Sequence, residues 1–379
     1  MRAYLHHPAL CCLGLFTLAA GLSCGAGTPA EIARKPTSSR GPAAVPAPSA
    51  PDAAGLADAA ATTADPDAAL AATADAAPVR SDPMDLHATT REELLALMPT
   101  APGDAAARAR TNGLFTALLG VSDPAHMNQG NRALSQHTTS REECLAGLEG
   151  IVLQTGAQRA TCGAENMVPV WTKSSANRRP SYCIDIFEFP NRACELPIVW
   201  TSPSTASTVC KAEGKRLCTQ SEWQLACRAD PEGGTDRRYA YGDVLDLDIC
   251  HTNRPHRQRC DTRTAATAWA TCTTDTEPSG AFPKCRSRFG VFDQHGNVAE
   301  EMSRTEPTRG GEVVSQLKGS AWFYMELAQE PGRPVPETTR FKDMAHPDHC
   351  NFDPRWHVET LDQALHVNYH LGFRCCKSL

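Results

Sequence analysis

The chain has 379 residues, a formal net charge of −6 and no run of lysines or arginines. This length allows one large domain or two smaller ones. The acidic balance excludes nucleic acid as an expected partner, because phosphate backbones are bound through basic patches.

The first 24 residues are typical of an export signal. Arg2 precedes an apolar run from Pro8 to Leu22, which is too short to span a bilayer and matches the apolar part of a secretory signal. The run ends Ala-Gly-Leu-Ser-Cys24-Gly, which resembles a bacterial lipobox with Cys24 as the lipidated residue. The sequence therefore predicts either a lipoprotein anchored in the bacterial envelope or a protein secreted after cleavage near Ser23.

Residues 25–85 contain mainly Ala, Pro, Asp, Ser and Thr, with almost no large apolar side chains. Such a composition cannot bury enough apolar surface to offset the entropy of ordering, so a disordered segment is predicted. A coil of roughly 60 residues would span on the order of 45 Å. This length suits a tether that holds a folded domain away from a membrane.

Residues 86–164 are predicted to form a small helical extension. Thr90 and Ser140 are each followed three residues later by glutamate, a capping box that predicts a helix start at both places. A third helix is predicted over Ala105–Leu119, interrupted or ended near Gly113.

From residue 165 the pattern changes to short apolar segments separated by Gly, Pro and Cys. Met167–Trp171 and Tyr182–Phe187 are typical of short strands. A capping box at Thr219 and apolar residues at helical spacing predict a helix that ends near Arg228. The pattern favours an α+β fold over 165–379 with much irregular backbone.

Fourteen of the 17 cysteines lie between Cys144 and Cys376, an even number in a chain that carries an export signal. Disulfides are the default state of cysteines in that compartment, so up to seven are predicted. The chain has no Cys-x-x-Cys pair, which argues against a zinc ribbon or a thioredoxin-like site.

The stretch from Gly290 to Glu300 reads Gly-Val-Phe-Asp-Gln-His-Gly-Asn-Val-Ala-Glu. It places a turn-forming Gly-Asn pair between two carboxylates, those of Asp293 and Glu300. Such a segment either surrounds a hard cation with side-chain and carbonyl oxygens or forms a capped turn.

Several stretches, in family order, resemble the formylglycine-generating enzyme family, also called sulfatase-modifying factors. They are Cys183-Ile-Asp-Ile-Phe-Glu-Phe-Pro-Asn191, Gly214-Lys-Arg-Leu-Cys-Thr-Gln-Ser-Glu-Trp223, Tyr239-Ala-Tyr-Gly-Asp243, Gly290–Glu300, Leu317-Lys-Gly-Ser-Ala-Trp322 and Gly372-Phe-Arg-Cys375. The resemblance implies a loop-rich, disulfide-stapled α+β domain over 165–379, distantly similar to C-type lectin domains. In this setting the carboxylates of Asp185 and Glu188 are predicted to be structural hydrogen-bond acceptors.

The resemblance also implies a structural calcium site. By position, Asp293 and Glu300 would supply side-chain oxygens, and Gly296 and Val298 would supply carbonyl oxygens. Flexible oxygen ligands of this kind suit calcium. The family's other calcium site needs an asparagine where His251 stands, so it is not expected here.

The catalytic machinery of the family is not matched. Its enzymes hold copper(I) with two cysteine thiolates five residues apart, shortly after a Gly-Gly-Ser motif, and soft thiolates suit that ion. Here the stretch from Ser320 to Gln329 contains no cysteine, and the next one is Cys350. Cys350 is predicted to form a disulfide with Cys375 or Cys376. We therefore assign no catalytic residue and expect no copper.

Iron-dependent relatives of the family hold their metal with histidines, in part from a helical domain. Five histidines occur late in this chain, at His346, His349, His357, His366 and His370. His366 and His370 lie at a spacing that could share a face. The histidine motif of the helical iron domain is absent from residues 86–160, so structural packing is predicted for these side chains and iron is not expected.

Together these features predict an exported, membrane-tethered member of the family that lacks the oxidase activity. It would act as a binding or scaffold module for a protein, peptide or glycan. The alternative is a divergent oxidoreductase on the same scaffold, either copper-dependent or built on the late histidines.

Overall fold

The helices begin where the sequence provides side-chain caps. The computed structural model describes residues 81–171, 179–252, 254, 260–306, 310–323, 349–352 and 358–379. Cys24, residues 25–80 of the predicted tether, His346 and His357 lie outside them. The predicted disorder is wrong at the end of the tether, where Pro83–Leu86 form a 3-10 helix capped by Asp82. The helices are α1 (Arg91–Leu97), α2 (Ala105–Leu118), α3 (Arg141–Leu148), α4 (Gly156–Cys162), α5 (Pro203–Ala212), α6 (Gln220–Arg228) and α7 (Ala265–Thr271). The predicted capping boxes at Thr90, Ser140 and Thr219 are all present, so these helix starts are confirmed.

Helix α2 corrects one prediction, because it continues through Gly113 to Leu118. A glycine inside a helix costs about 1 kcal/mol relative to alanine. That cost is offset by packing on one face of the helix, where Thr111 and Phe115 are buried.

Two small sheets form the centre of the fold. Strands β1 (Met167–Val170), β2 (Tyr182–Asp185), β7 (Cys375–Ser378) and β3 (Arg216–Leu217) form an antiparallel sheet in that order. In the second sheet β4 (Ala299–Ser303) lies between β5 (Ser315–Lys318) and β6 (Leu371–Phe373), antiparallel to β5 and parallel to β6. Both predicted strands, β1 and β2, are therefore confirmed.

The N-terminal helices share their core with the sheets. Phe115 of α2 packs against Phe189, which stacks on Phe373 of β6 at 4.6 Å between ring centroids. Leu94 of α1 and Val209 of α5 belong to the same buried cluster. All described residues belong to one compact unit, and none of its helices is long and apolar enough to cross a bilayer.

Seven disulfides staple this unit, as the even cysteine count predicts. They join Cys144 to Cys194, Cys162 to Cys183, Cys210 to Cys375, Cys218 to Cys376, Cys227 to Cys350, Cys250 to Cys285 and Cys260 to Cys272. The predicted partner of Cys350 is wrong. Cys375 and Cys376 are adjacent residues of β7, and they form disulfides with Cys210 and Cys218. Cys350 therefore pairs with Cys227 of α6 instead.

Candidate functional site

The stretch from Gly290 to Glu300 forms a tight turn against residues 250–252. Asp293, Gly296 and Asn297 all have left-handed backbones, with φ of 55°, 77° and 58°. A Cβ atom at Gly296 would lie 2.1 Å from the carbonyl oxygen of His251. Glycine is required there, because both the dihedral angle and the close approach exclude a side chain.

Below the turn, the guanidinium of Arg374 is fully buried and fully satisfied. It forms a two-point ion pair with the carboxylate of Glu300, through Nε–Oε2 and Nη2–Oε1 bonds of 2.6 Å each. Its other N–H groups donate to the backbone carbonyls of Asp185, Ile186 and Phe292. All five donors of the guanidinium thus have acceptors, and they join β2, the turn and β4.

Two further buried carboxylates surround this ion pair. Glu188 accepts hydrogen bonds from Ser279, Asn297 and the backbone N–H of Val298. Burial, followed by the charges of Asp293 and Glu300, raises the pKa of Glu188 well above its usual range.

Asp293 accepts a 2.7 Å hydrogen bond from the N–H of Gly280, and burial raises its pKa to about 7. Glu188 and Asp185 are thus structural acceptors, as predicted, since Asp185 accepts from Lys215, Asn191 and the N–H of Cys375.

The four predicted calcium ligands lie in this region, with different partners. The N–H of Gly296 donates to the hydroxyl of Ser320, and the N–H of Val298 donates to the carboxylate of Glu188. These two hydrogen bonds fix the orientation of both residues in the turn. The carboxylate of Glu300 is bonded on both oxygens by Arg374, and Trp223 adds a third bond of 2.9 Å. Glu300 would have to exchange these partners to reach an ion, so calcium ligation by this set stays a prediction.

A sulfur and imidazole cluster lies on the other side of Trp223. The Cys227–Cys350 disulfide places its sulfur atoms 3.5 and 4.0 Å from Nε2 of His295, which accepts a hydrogen bond from the N–H of Ala240. The rings of Trp223, Tyr239 and Tyr241 pack edge-on around this imidazole. Within the described residues, this is the one place where three potential metal-ligating groups converge.

The sequence did not predict this cluster, because Cys227, His295 and Cys350 lie on separate segments of the chain. The two sulfur atoms are bonded to each other, so in this state neither is a thiolate. The arrangement becomes capable of ligation or redox chemistry on reduction of the disulfide.

The segment after β5, where the family's copper ligands would lie, is part of the apolar core. Ser320 is buried and accepts from Gly296, and Trp322 and Phe323 pack edge-on at 5.2 Å between ring centroids. Residues 324–348 lie outside the described ranges, but the sequence contains no cysteine from 321 to 349.

The late histidines do not converge within the described residues. His370 is buried in front of β6 and packs on the rings of Phe323 and Tyr369. His366 is exposed, so the two side chains do not share an environment despite their spacing. His349 packs against Phe352.

A cavity of about 830 Å³ opens beside α4, between the N-terminal helices and β3. Lys215 lies at its wall and bridges the carboxylates of Asp185 and Glu213, at 2.8 and 3.0 Å. The cationic side chains of Arg159, Arg192 and Lys377 also line it. Its volume lies within the range of ligand-binding pockets.

The fold, the disulfides and the turn define a disulfide-stapled α+β domain of the formylglycine-generating enzyme type. A family model described as "Sulfatase-modifying factor enzyme 1-like domain" matches residues 131–379, which is well over half of the chain. The chain therefore belongs to the sulfatase-modifying factor family.

A curated relative in Mus musculus, "Inactive C-alpha-formylglycine-generating enzyme 2", is 26% identical over 133 residues. That match covers 34% of this chain and 38% of the mouse protein.

Among solved structures, that of CarF is 14% identical with a TM-score of 0.33, and the match covers 55% of this chain and 93% of CarF. The P3c variant of the major tropism determinant is 11% identical with a TM-score of 0.28, covering 56% of this chain and 52% of its own.

Proposed function

We propose that this protein is an exported, envelope-tethered binding module of the family that does not generate formylglycine. The observation that carries the proposal is the absence of a thiolate pair. The stretch after Ser320 has no cysteine, and the next one, Cys350, is closed in a disulfide with Cys227. Copper(I) held by two thiolates requires free cysteines, and all fourteen in the domain are oxidised.

The other features are consistent with a binding role. The mouse relative carries the word "inactive" in its name. The apolar leader, Cys24 and the Ala- and Pro-rich segment suit a domain held at a distance from a membrane. The cavity beside α4 offers space for part of a protein, peptide or glycan ligand. Arg192 and Lys377 at its wall favour acidic groups, whereas Arg159 is already paired with Glu165.

The purified protein is expected to leave a sulfatase-type substrate unchanged. We would incubate it with copper(I), oxygen and a peptide containing Cys-x-Pro-x-Arg, and follow the peptide by mass spectrometry. The expected result is no conversion, because no paired thiolates are available to bind both copper and the substrate sulfur. A loss of about 18 Da, which is the mass change from cysteine to formylglycine, would overturn the proposal.

The alternative function is a divergent oxidoreductase, and the Cys227–Cys350 disulfide beside His295 is the observation that favours it. Metal analysis and disulfide mapping of the purified protein distinguish the two proposals. Fourteen oxidised cysteines with no bound copper or iron exclude the alternative, whereas free Cys227 and Cys350 with a bound metal support it.

Calcium binding at the turn is proposed as a structural feature of this module. If Asp293 is a ligand, added calcium raises the Tm, because an ion that binds only the folded state stabilises it by mass action. The rise is expected to disappear in Asp293→Ala and to persist in Asp248→Ala, which removes an exposed carboxylate. An equal calcium response in both variants would argue against the site.

A further inference from the structure

Two buried histidines face each other where the N-terminal segment meets the core. His87 follows the first 3-10 turn, and His137 precedes α3. Their ring centroids are 5.4 Å apart and their planes are inclined by 32°. The side chains are 3% and 5% exposed, which is rare for histidine without a specific partner.

The hydrogen bonds fix the tautomer of both rings. Nδ1 of His87 contacts the carbonyl oxygen of Ala88 at 3.2 Å, and Nδ1 of His137 contacts that of Thr276 at 2.5 Å. A carbonyl oxygen only accepts, so each Nδ1 carries the proton. Burial lowers the pKa of both imidazoles to about 4, and both are neutral at pH 7. Each Nε2 therefore presents a lone pair.

Neither lone pair has a donor within the described residues. Nε2 of His87 and Nε2 of His137 are both buried and have no hydrogen-bond partner among these residues. The same is true of the hydroxyl of Thr276, whose carbonyl oxygen accepts from Nδ1 of His137. A buried polar group left unpaired costs about 1–3 kcal/mol, and such groups are uncommon in folded proteins. Three of them on neighbouring residues indicate an occupant that the described part of the chain does not supply.

We propose that His87 and His137 bind a transition-metal ion of the Zn²⁺ class through their Nε2 atoms. A neutral imidazole whose Nδ1–H is held by a carbonyl is the usual form of a metal-ligating histidine. Water would supply the remaining oxygen ligands.

The ring separation fits such an ion. With metal–nitrogen distances of about 2.0–2.1 Å, an ion in line with both Nε2 atoms lies about 3 Å from each ring centroid. Two rings that share such an ion therefore have centroids no more than about 6 Å apart, and the observed separation of 5.4 Å meets this condition.

Charged groups of both signs surround the pair. Arg132 donates to the carbonyl oxygen of His87 and opposes binding, whereas the carboxylates of Asp275 and Glu277 are held close by. His251, another titratable neighbour, donates through Nε2 to the carbonyl oxygen of Asp275, and burial lowers its pKa and keeps it neutral. Arg254 also acts on His251, so the charged groups near the site are of both signs.

The site would join two parts of the chain. His87 precedes the region matched by the family model, and His137 lies inside it. A bound ion would therefore fasten residues that precede the matched region to that region.

Zinc binding can be measured on the full chain, purified without a polyhistidine tag and stripped with EDTA. We expect one Zn²⁺ per chain by elemental analysis, and a visible absorption band when Co²⁺ replaces it. His87→Gln and His137→Gln should each weaken the Kd by more than about tenfold. His126→Gln, which removes a partly exposed histidine, should leave it unchanged. Excess calcium should not compete, since it prefers oxygen ligands.

Wild-type protein that binds no Zn²⁺ above the His87→Gln/His137→Gln double variant would overturn the proposal, and would mean that water fills the site. Retention of full zinc affinity in the double variant would also overturn it. The wild-type stoichiometry and the cobalt spectrum remain decisive if a variant fails to fold.

Discussion

Replacing Arg374 by methionine is expected to destabilise the folded protein by about 3–5 kcal/mol at neutral pH, a large fraction of the stability of a typical domain. The guanidinium is the partner of Glu300 and lies among the carboxylates of Glu188 and Asp293. Without it, Glu300 is a buried charge with no counterion, and three backbone carbonyls lose their donors. Chemical denaturation of the disulfide-intact protein, monitored by tryptophan fluorescence, measures the loss.

A matched variant separates this effect from the loss of any arginine. Arg263 forms an ion pair with Asp261 on the surface, where its side chain is 83% exposed. Surface pairs contribute little, so Arg263→Met should leave the free energy of unfolding almost unchanged. Arg374→Lys retains the charge but not the five-donor geometry, and an intermediate loss is expected. Equal stability of the Arg374→Met and Arg263→Met variants would contradict the assigned role.

Replacing Glu301 by methionine is expected to increase stability by about 1–3 kcal/mol and to raise the Tm by about 2–6 °C. Glu301 occupies the middle of β4, opposite Leu317 on one side and Phe373 on the other. Its side chain is fully buried, and both carboxyl oxygens lack a hydrogen-bond partner within the described residues. Methionine has a similar volume and leaves no polar atom unpaired.

The gain should depend on pH. Burial, and then the charge of Glu359, raises the pKa of Glu301 well above its usual range. The folded state thus binds the proton more tightly, and wild-type stability falls as pH rises from the unfolded pKa of about 4.3 towards the folded one. The advantage of Glu301→Met should therefore be smallest near pH 4 and grow with pH. Measurements in EDTA exclude any contribution from calcium. The exposed Glu306→Met variant should show no such trend, and a pH-independent gain would contradict the explanation.

Local structure was predictable where a few adjacent residues determine it. The capping boxes at Thr90, Ser140 and Thr219 place helix starts because hydroxyl and carboxylate satisfy free N–H groups within four residues. The family motifs predicted the fold class, and the even cysteine count predicted seven disulfides.

Features that depend on distant residues were not predictable. The helix continues past Gly113 because Phe115 packs against Phe189, a residue far along the chain. The pairing of Cys350 with Cys227 depends on how α6 approaches the loop at 349–352. The Arg374–Glu300 pair likewise joins segments that the sequence places 74 residues apart.

The strand order has a consequence for how the chain is made. Residues 371–378 supply β6 and β7, and β7 lies between β2 and β3 in the first sheet while β6 completes the second. The disulfides of Cys375 and Cys376 close loops with sequence separations of 165 and 158. During synthesis, β2 and β3 lack the strand that lies between them until β7 has been made. The pairs β1–β2 and β4–β5 can form earlier, but both sheets are completed only after residues 371–378 have been synthesised.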